Sequence, residues 1–301
     1  MYKKILIPLD GSKTAEAVLP LARSWSTKLK LPVELIAVVD TAELARSLST
    51  IERFHMNSLI DEEMRRCGEY LDRAAKNFFL DDCKARLEKG SAAGIIIDAA
   101  AADKGTLIMM ATHGRSGLSR WLLGSVAEKV LRGTSNPLLL VPYLDKPRPD
   151  GYASLSSIVV PLDGSDLAET VLPSVVDLAK KLDLEVILFR AYTVPYAIYG
   201  GVGVYAFDPD QLIAAIDTDV SQYLQEKVDV LRKAGLEKVS CASKEGLSAD
   251  EIIKFARRTP NNLIAMCSHG RSGVTRWMLG SVTETVVRHS GDPVLVLRAG
   301  S

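Results

Sequence analysis

The sequence has few of the features that mark disulfide scaffolds, metal proteins or membrane proteins. Its four cysteines, Cys67, Cys83, Cys241 and Cys267, form no C-x-x-C pair, and its four histidines, His55, His113, His269 and His289, show no metal-ligand spacing. Free thiols, buried or incidental, are expected. No run reaches the roughly 18 apolar residues that a spanning helix needs. The first apolar stretch, Ile5 to Leu9, is too short for a signal-peptide core and stops at Asp10. A cytoplasmic location with no membrane contact is therefore expected. Excess charge of either sign is also missing. The 37 basic and 37 acidic side chains cancel, which argues against the broad attraction used by non-specific nucleic-acid and anionic-membrane binders.

What remains is an ordinary globular composition, 47% apolar and 25% charged over 301 residues. At roughly 150 residues per domain this predicts about two domains. Comparison of the chain with itself decides the architecture. Ile5-Leu-Ile-Pro-Leu-Asp-Gly-Ser12 recurs as Ile158-Val-Val-Pro-Leu-Asp-Gly-Ser165, and Ala15-Glu16 and Leu19-Pro20 recur as Ala168-Glu169 and Leu172-Pro173. A second block, from His113 to Val126, recurs from His269 to Val282 with changes only at Leu118/Val274, Ser119/Thr275 and Leu122/Met278. The ends Asn136-Pro-Leu-Leu-Leu-Val141 and Asp292-Pro-Val-Leu-Val-Leu297 also match. Ordered blocks of this kind mean a tandem duplication. Residues 143–154 hold Pro147, Pro149, Gly151 and several charges, the composition of a linker. The expected division is a first domain over 1–143, a linker over 144–154 and a second domain over 155–301.

Each copy alternates short apolar runs with helical periodicity. In the first, strands are predicted at 4–9, 33–39, 84–87, 106–111 and 137–141, and helices at 15–28, 56–79, 92–102 and 125–132. Near-continuous apolar strands separated by helices imply a parallel sheet covered on both faces, a doubly wound α/β fold present twice. The segments 41–54 and 192–207 do not match each other, as expected of loops that vary on a fixed scaffold and flank a site.

In such sheets, ligands bind beyond the carboxyl ends of the strands. Asp10 and Asp163 directly follow the first strand of each half. Ala111-Thr-His-Gly114 and Cys267-Ser-His-Gly270 follow the fourth, and nine residues separate each of these final glycines from Gly124-Ser125 and Gly280-Ser281, which open helices. Glycine lets backbone approach an anion, and a helix start offers unpaired N–H groups with the positive end of the dipole, so phosphate is the natural guest. A carboxylate across the crevice suits a ribose hydroxyl or a hydrated magnesium ion, and the ensemble fits a mononucleotide.

Structural readings stand beside these. Ser125-Val-Ala-Glu128 and Ser281-Val-Thr-Glu284 have the form of capping boxes, a role compatible with backbone N–H groups facing a phosphate. Asp10 can equally stabilise the tight turn Asp-Gly-Ser. Gly11-Ser-Lys-Thr14 lacks the adjacent Gly-Lys of a P-loop, and Leu6 stands where that motif needs its other glycine. Gly201-Val-Gly203-Val-Tyr-Ala206 fits a dinucleotide fingerprint in letters but falls in an insertion with no prompt helix, and reads as loop. Asp40 ends the second strand, while the matching Arg190-Ala-Tyr-Thr193 lacks a carboxylate. His113 and His269 have no paired nucleophile and read as turn hydrogen-bonders. Arg115, Arg120, Arg271 and Arg276 either lean on phosphate or stay solvated. Trp121 and Trp277 read as packing residues, and 56–79 as an amphipathic helix against the sheet.

The segment Lys4 to Ser12, the block Thr112-His-Gly-Arg-Ser-Gly117 with Leu123-Gly-Ser-Val126, and the strand at 137–141 together resemble a universal stress protein domain, and the second half resembles another. The resemblance covers nearly the whole chain outside the linker and the two insertions. It implies open five-stranded parallel sheets of order 3-2-1-4-5. It also implies that Leu138–Val141 and Val294–Leu297 meet as an internal pseudo-dimer, with further homodimerisation of the chain. In the nucleotide-binding branch it implies ATP with Mg2+. The first-strand aspartate then lies near ribose and metal, a backbone group at the end of the second strand reads adenine, and the Gly-Ser helix start takes the phosphates. Carried over, the binding residues are Asp10, Val38, Gly114, Gly124, Ser125 and Val126, then Asp163, Ala191, Gly270, Gly280, Ser281 and Val282, with Asp10 and Asp163 toward the metal. The first glycine of the family pattern is Ala111 in one half and Cys267 in the other, so binding is expected more strongly in the first half. Three functions are compatible with this: a nucleotide-dependent regulatory module without dedicated catalytic residues, a stress protein acting through an unknown protein partner without nucleotide, and an ATP-using enzyme.

Overall fold

The computed structural model describes residues 2–41, 56–79, 83–112, 123–143, 152–194, 209–268 and 279–298. The chain forms two compact units, built on residues 1–154 and 155–294. The first half contains β1 (Lys4–Pro8), α1 (Lys13–Glu16), α2 (Leu19–Leu29), β2 (Val33–Val39), α3 (Met56–Phe78), β3 (Cys83–Lys89), α4 (Ala92–Ala101), β4 (Thr106–Ala111), α5 (Ser125–Gly133) and β5 (Leu138–Val141). The second contains β6 (Ser157–Pro161), α6 (Asp166–Glu169), α7 (Leu172–Leu182), β7 (Glu185–Tyr192), α8 (Pro209–Lys233), β8 (Val239–Glu245), α9 (Ser248–Arg258), β9 (Asn262–Cys267), α10 (Ser281–His289) and β10 (Val294–Leu297).

The strand order is β3-β2-β1-β4-β5 in the first half and β8-β7-β6-β9-β10 in the second, which is 3-2-1-4-5 twice. Pairing is parallel, with Ile5 opposite Val33 and Leu107, and Ile158 opposite Val186 and Leu263. The reason lies in the apolar runs. Every residue of β4, β5, β9 and β10 is buried, as sheets covered on both faces require. The edge strand β3 carries Lys84, Arg86, Glu88 and Lys89 instead, charges that blunt an open edge.

The single helix predicted at 15–28 is two helices. The Ala17 N–H closes onto Thr14 O at 3.3 Å, and a new helix starts after Val18 with Pro20 in its first turn. Proline has no N–H to lose there and its ring clashes with no preceding turn, so the chain restarts rather than kinks. The second half repeats the break before Pro173.

The four cysteines are free thiols, with Cys67 and Cys267 buried. Burial pushes the Cys83 thiol up to about 11 from 9.0. At pH 8 its thiolate fraction is then roughly a hundredfold below that of an unperturbed thiol, and iodoacetamide should label it about a hundredfold more slowly, as peptide mapping would show. The folded chain holds this proton more tightly than the unfolded one, so the contribution is intact below about pH 9 and is lost as pH rises toward 11. Labelling of Cys83 at an ordinary rate would contradict this.

Candidate functional site

Two turns at the ends of the central strands come first. Asp10 Oδ1 accepts from the Ser12 N–H at 2.9 Å and the Ser12 hydroxyl at 2.6 Å, while Ser12 Oγ accepts from the Ala15 N–H at 3.1 Å. Asp163, Ser165 and Ala168 repeat this at 3.0, 2.6 and 3.2 Å. Gly11 and Gly164, at φ 82° and 85°, supply the left-handed step between carboxylate and cap. The turn-stabilising role of each aspartate is thus present, and it fixes the carboxylate beyond the strand end.

The helix starts come second, and here the capping-box reading is corrected. The N-caps of α5 and α10 are Gly124 and Gly280, with no side-chain hydrogen bond to the first turn. Gly124 and Gly280 donate their N–H groups to Thr112 O and Ser268 O, each at 2.8 Å, which holds the glycines extended and starts the helices one residue later, at Ser125 and Ser281. Glu128 and Glu284 accept from Arg132 and Arg288 four residues on, at 3.3 and 2.9 Å. Serine and glutamate therefore do not cap.

In the second unit these features converge. A cavity of about 710 Å³ opens beyond the ends of β6, β7 and β9, within the range of small-molecule sites. Asp163, Ala191, Gly280, Ser281 and Val282 all line it. Cys267 lines it too, with its Sγ 3.6 Å from Thr170 Oγ1, and its carbonyl accepts from Thr283 Oγ1 at 3.0 Å. In the first half, Asp10 follows β1, Val38 lies near the end of β2, and Gly124, Ser125 and Val126 open α5. Gly114 and Gly270 lie outside the described residues, as do His113, His269, the four arginines of that block, Trp121, Trp277 and the 201–206 segment.

In and beside the cavity lie residues to which the sequence motifs assign no role. Arg190 lines it near the end of β7, with its guanidinium carbon 4.8 Å from the centre of the Tyr223 ring. Tyr223 donates to Glu169 Oε1 at 2.9 Å, and Lys227 donates to Glu169 Oε2 at 2.7 Å. Burial, then the Glu169 carboxylate, hold the Tyr223 phenol well above its ordinary range, so it stays neutral and donating. Phe189 lines the cavity from beneath and stacks on Phe255 with centroids 4.4 Å apart. The one signal in the sequence was Arg190, a charge that interrupts the apolar run from Val186 to Ala191.

Among the described residues no helix is long and apolar enough to cross a membrane, and no group of three or more His, Cys, Asp or Glu side chains could hold a metal ion. The Universal stress protein family matches residues 1–142 and 155–298. A universal stress protein of Methanocaldococcus jannaschii is 33% identical over 149 residues, covering 50% of this chain and 85% of its own. One from Mycolicibacterium smegmatis is 21% identical over 98% of this chain and 96% of its own. The crystal structure of a universal stress protein from Archaeoglobus fulgidus superposes with a TM-score of 0.67 at 22% identity, over 99% of this chain and 98% of that one, a likeness of fold. The chain belongs to the universal stress protein family, as a tandem of two such domains.

Proposed function

We propose that the chain binds adenine nucleotide, ATP with its magnesium, in the crevice of each half, and that it works as a nucleotide-dependent regulatory module of the stress response. It acts in the cytoplasm, passes its signal to a protein partner, and is not an enzyme. The observation that carries this reading is the lining of one cavity by Asp163, Ala191, Gly280, Ser281 and Val282, which arrive from three separate stretches of sequence. The first turn of α10 begins with a glycine and no side-chain cap, which leaves its N–H groups to an anion. Asp163 is positioned by its own turn before any ligand arrives. With no carboxylate cluster among the described residues, magnesium is expected to come with the phosphates and to neutralise their charge, Asp163 supporting it from the side. Asp10, Val38, Gly124, Ser125 and Val126 offer the same chemistry in the first half.

Calorimetric titration of the nucleotide-stripped chain with ATP and magnesium tests this. Two equivalents per chain are expected. No heat and no thermal shift at millimolar ATP would reject the reading and favour action by protein contact alone.

A further inference from the structure

The two halves differ in charge at one place inside the crevice. Pro8 pairs with Ile36 as Pro161 pairs with Phe189, so the next residue is Ala37 in the first half and Arg190 in the second. Tyr70-Leu71 recurs as Tyr223-Leu224 at the same offset that relates Asp10 to Asp163, which sets Ala74 opposite Lys227. The first half therefore has alanines where the second has both cations.

These two cations are not equivalent. Lys227 is committed to Glu169 at 2.7 Å. Among the described residues no carboxylate lies within ion-pair distance of Arg190. It is held by the Tyr223 ring, and a Cβ on Gly164 would stand 3.1 Å from its guanidinium, so it lies over the Asp163-Gly164 turn while lining the cavity. Tyr223 is in turn fixed by Glu169, so the guanidinium is set in place by residues on α8 and α6.

Its location relative to the helix start decides what it can read. Strand β6 lies between β7, which carries Arg190, and β9, whose end leads to Gly280. The backbones of β7 and β9 are two strand spacings, about 10 Å, apart, and the guanidinium reaches from β7 over the turn that follows β6, facing the helix start across the crevice. The guanidinium lies over the turn of Asp163, the carboxylate that the nucleotide reading sets near ribose, and in dinucleotide folds an arginine close to the ribose accommodates a ribose phosphate.

We infer that Arg190 makes the second-half cavity selective for adenine nucleotides that carry a phosphate on the ribose in addition to the one at the 5′ position. This rests on the nucleotide reading of the cavity, with the 5′-phosphate at Gly280–Val282 and the ribose phosphate on the planar, bidentate guanidinium.

The test titrates the full chain with 5′-AMP, adenosine 2′,5′-bisphosphate and adenosine 3′,5′-bisphosphate. One equivalent of a bisphosphate should bind roughly tenfold tighter or more than 5′-AMP. Arg190→Gln should erase that preference by weakening bisphosphate binding about tenfold more than 5′-AMP binding, while Arg190→Lys, which keeps charge without the fork, should retain part of it. Equal affinity for AMP and both bisphosphates in the unaltered chain would overturn the inference, and this needs no variant. An equal loss for AMP and bisphosphate in Arg190→Gln would also overturn it. If no adenine nucleotide binds at all, the nucleotide reading itself has failed; binding of AMP without preference defeats only the role of Arg190.

Discussion

Replacing Gly280 with leucine is expected to remove one of the two ATP equivalents bound per chain while leaving the fold in place. Gly280 sits at φ −64° and ψ 141°, extended backbone that any residue adopts, so the substitution creates no strain. Its N–H still reaches Ser268 O, and the N-cap loses about 1 kcal/mol at most, because glycine contributes no side-chain cap to begin with. The new side chain projects at the head of α10, where Gly280, Ser281 and Val282 line the cavity. A phosphate displaced from there loses hydrogen bonds to a charged group, each worth roughly tenfold or more in affinity, so two such bonds make the site effectively silent, about a hundredfold weaker. Calorimetric stoichiometry reads the result, with thermal melting as the control. A Gly280→Leu chain that still binds two equivalents at unchanged affinity would remove the helix start from the site.

The second large effect is on stability. Phe189→Ala should cost the second unit about 3–5 kcal/mol, the range for deleting a buried aromatic ring. Phe189 is 1% exposed and stacks on Phe255 at 20° between planes, so the sheet and α9 meet through this pair. Its deletion leaves a void that the strand cannot close, because Arg190 and Leu188 on either side point to the opposite face. Scanning calorimetry should show the second unit melting lower by on the order of 10 °C. A loss under about 1 kcal/mol would mean that α9 settles onto the strand. Because Phe189 also lines the cavity, the same variant enlarges the site below Ala191.

Much of this was legible in the letters. The apolar runs gave the strands because parallel strands buried on both faces cannot alternate with polar residues, and the same argument located Asp10, Asp163 and the glycine helix starts beyond strand ends. The duplication was visible because identical turns demand identical residues. Two things were hidden. Ser125 and Ser281 have the spacing of caps, yet the cap falls one residue earlier, since it is set by a hydrogen bond from Gly124 or Gly280 to a strand end that local pattern does not encode. The Arg190–Tyr223–Glu169 assembly joins three elements distant in sequence, and only the packing of α8 on the sheet brings them together.

The parallel topology also sets a timetable for the chain as it is made. The central strand of each unit pairs with a strand that follows at once and with one that is synthesised about a hundred residues later, Ile5 with Leu107 and Ile158 with Leu263. Until that partner emerges, one apolar edge of the strand has no neighbour in the sheet. At ribosomal speeds the interval is roughly 5–20 s, long compared with local helix formation. Each unit therefore passes through a stage in which its helices can form while its sheet is half built, so the chain meets that stage twice in every round of translation.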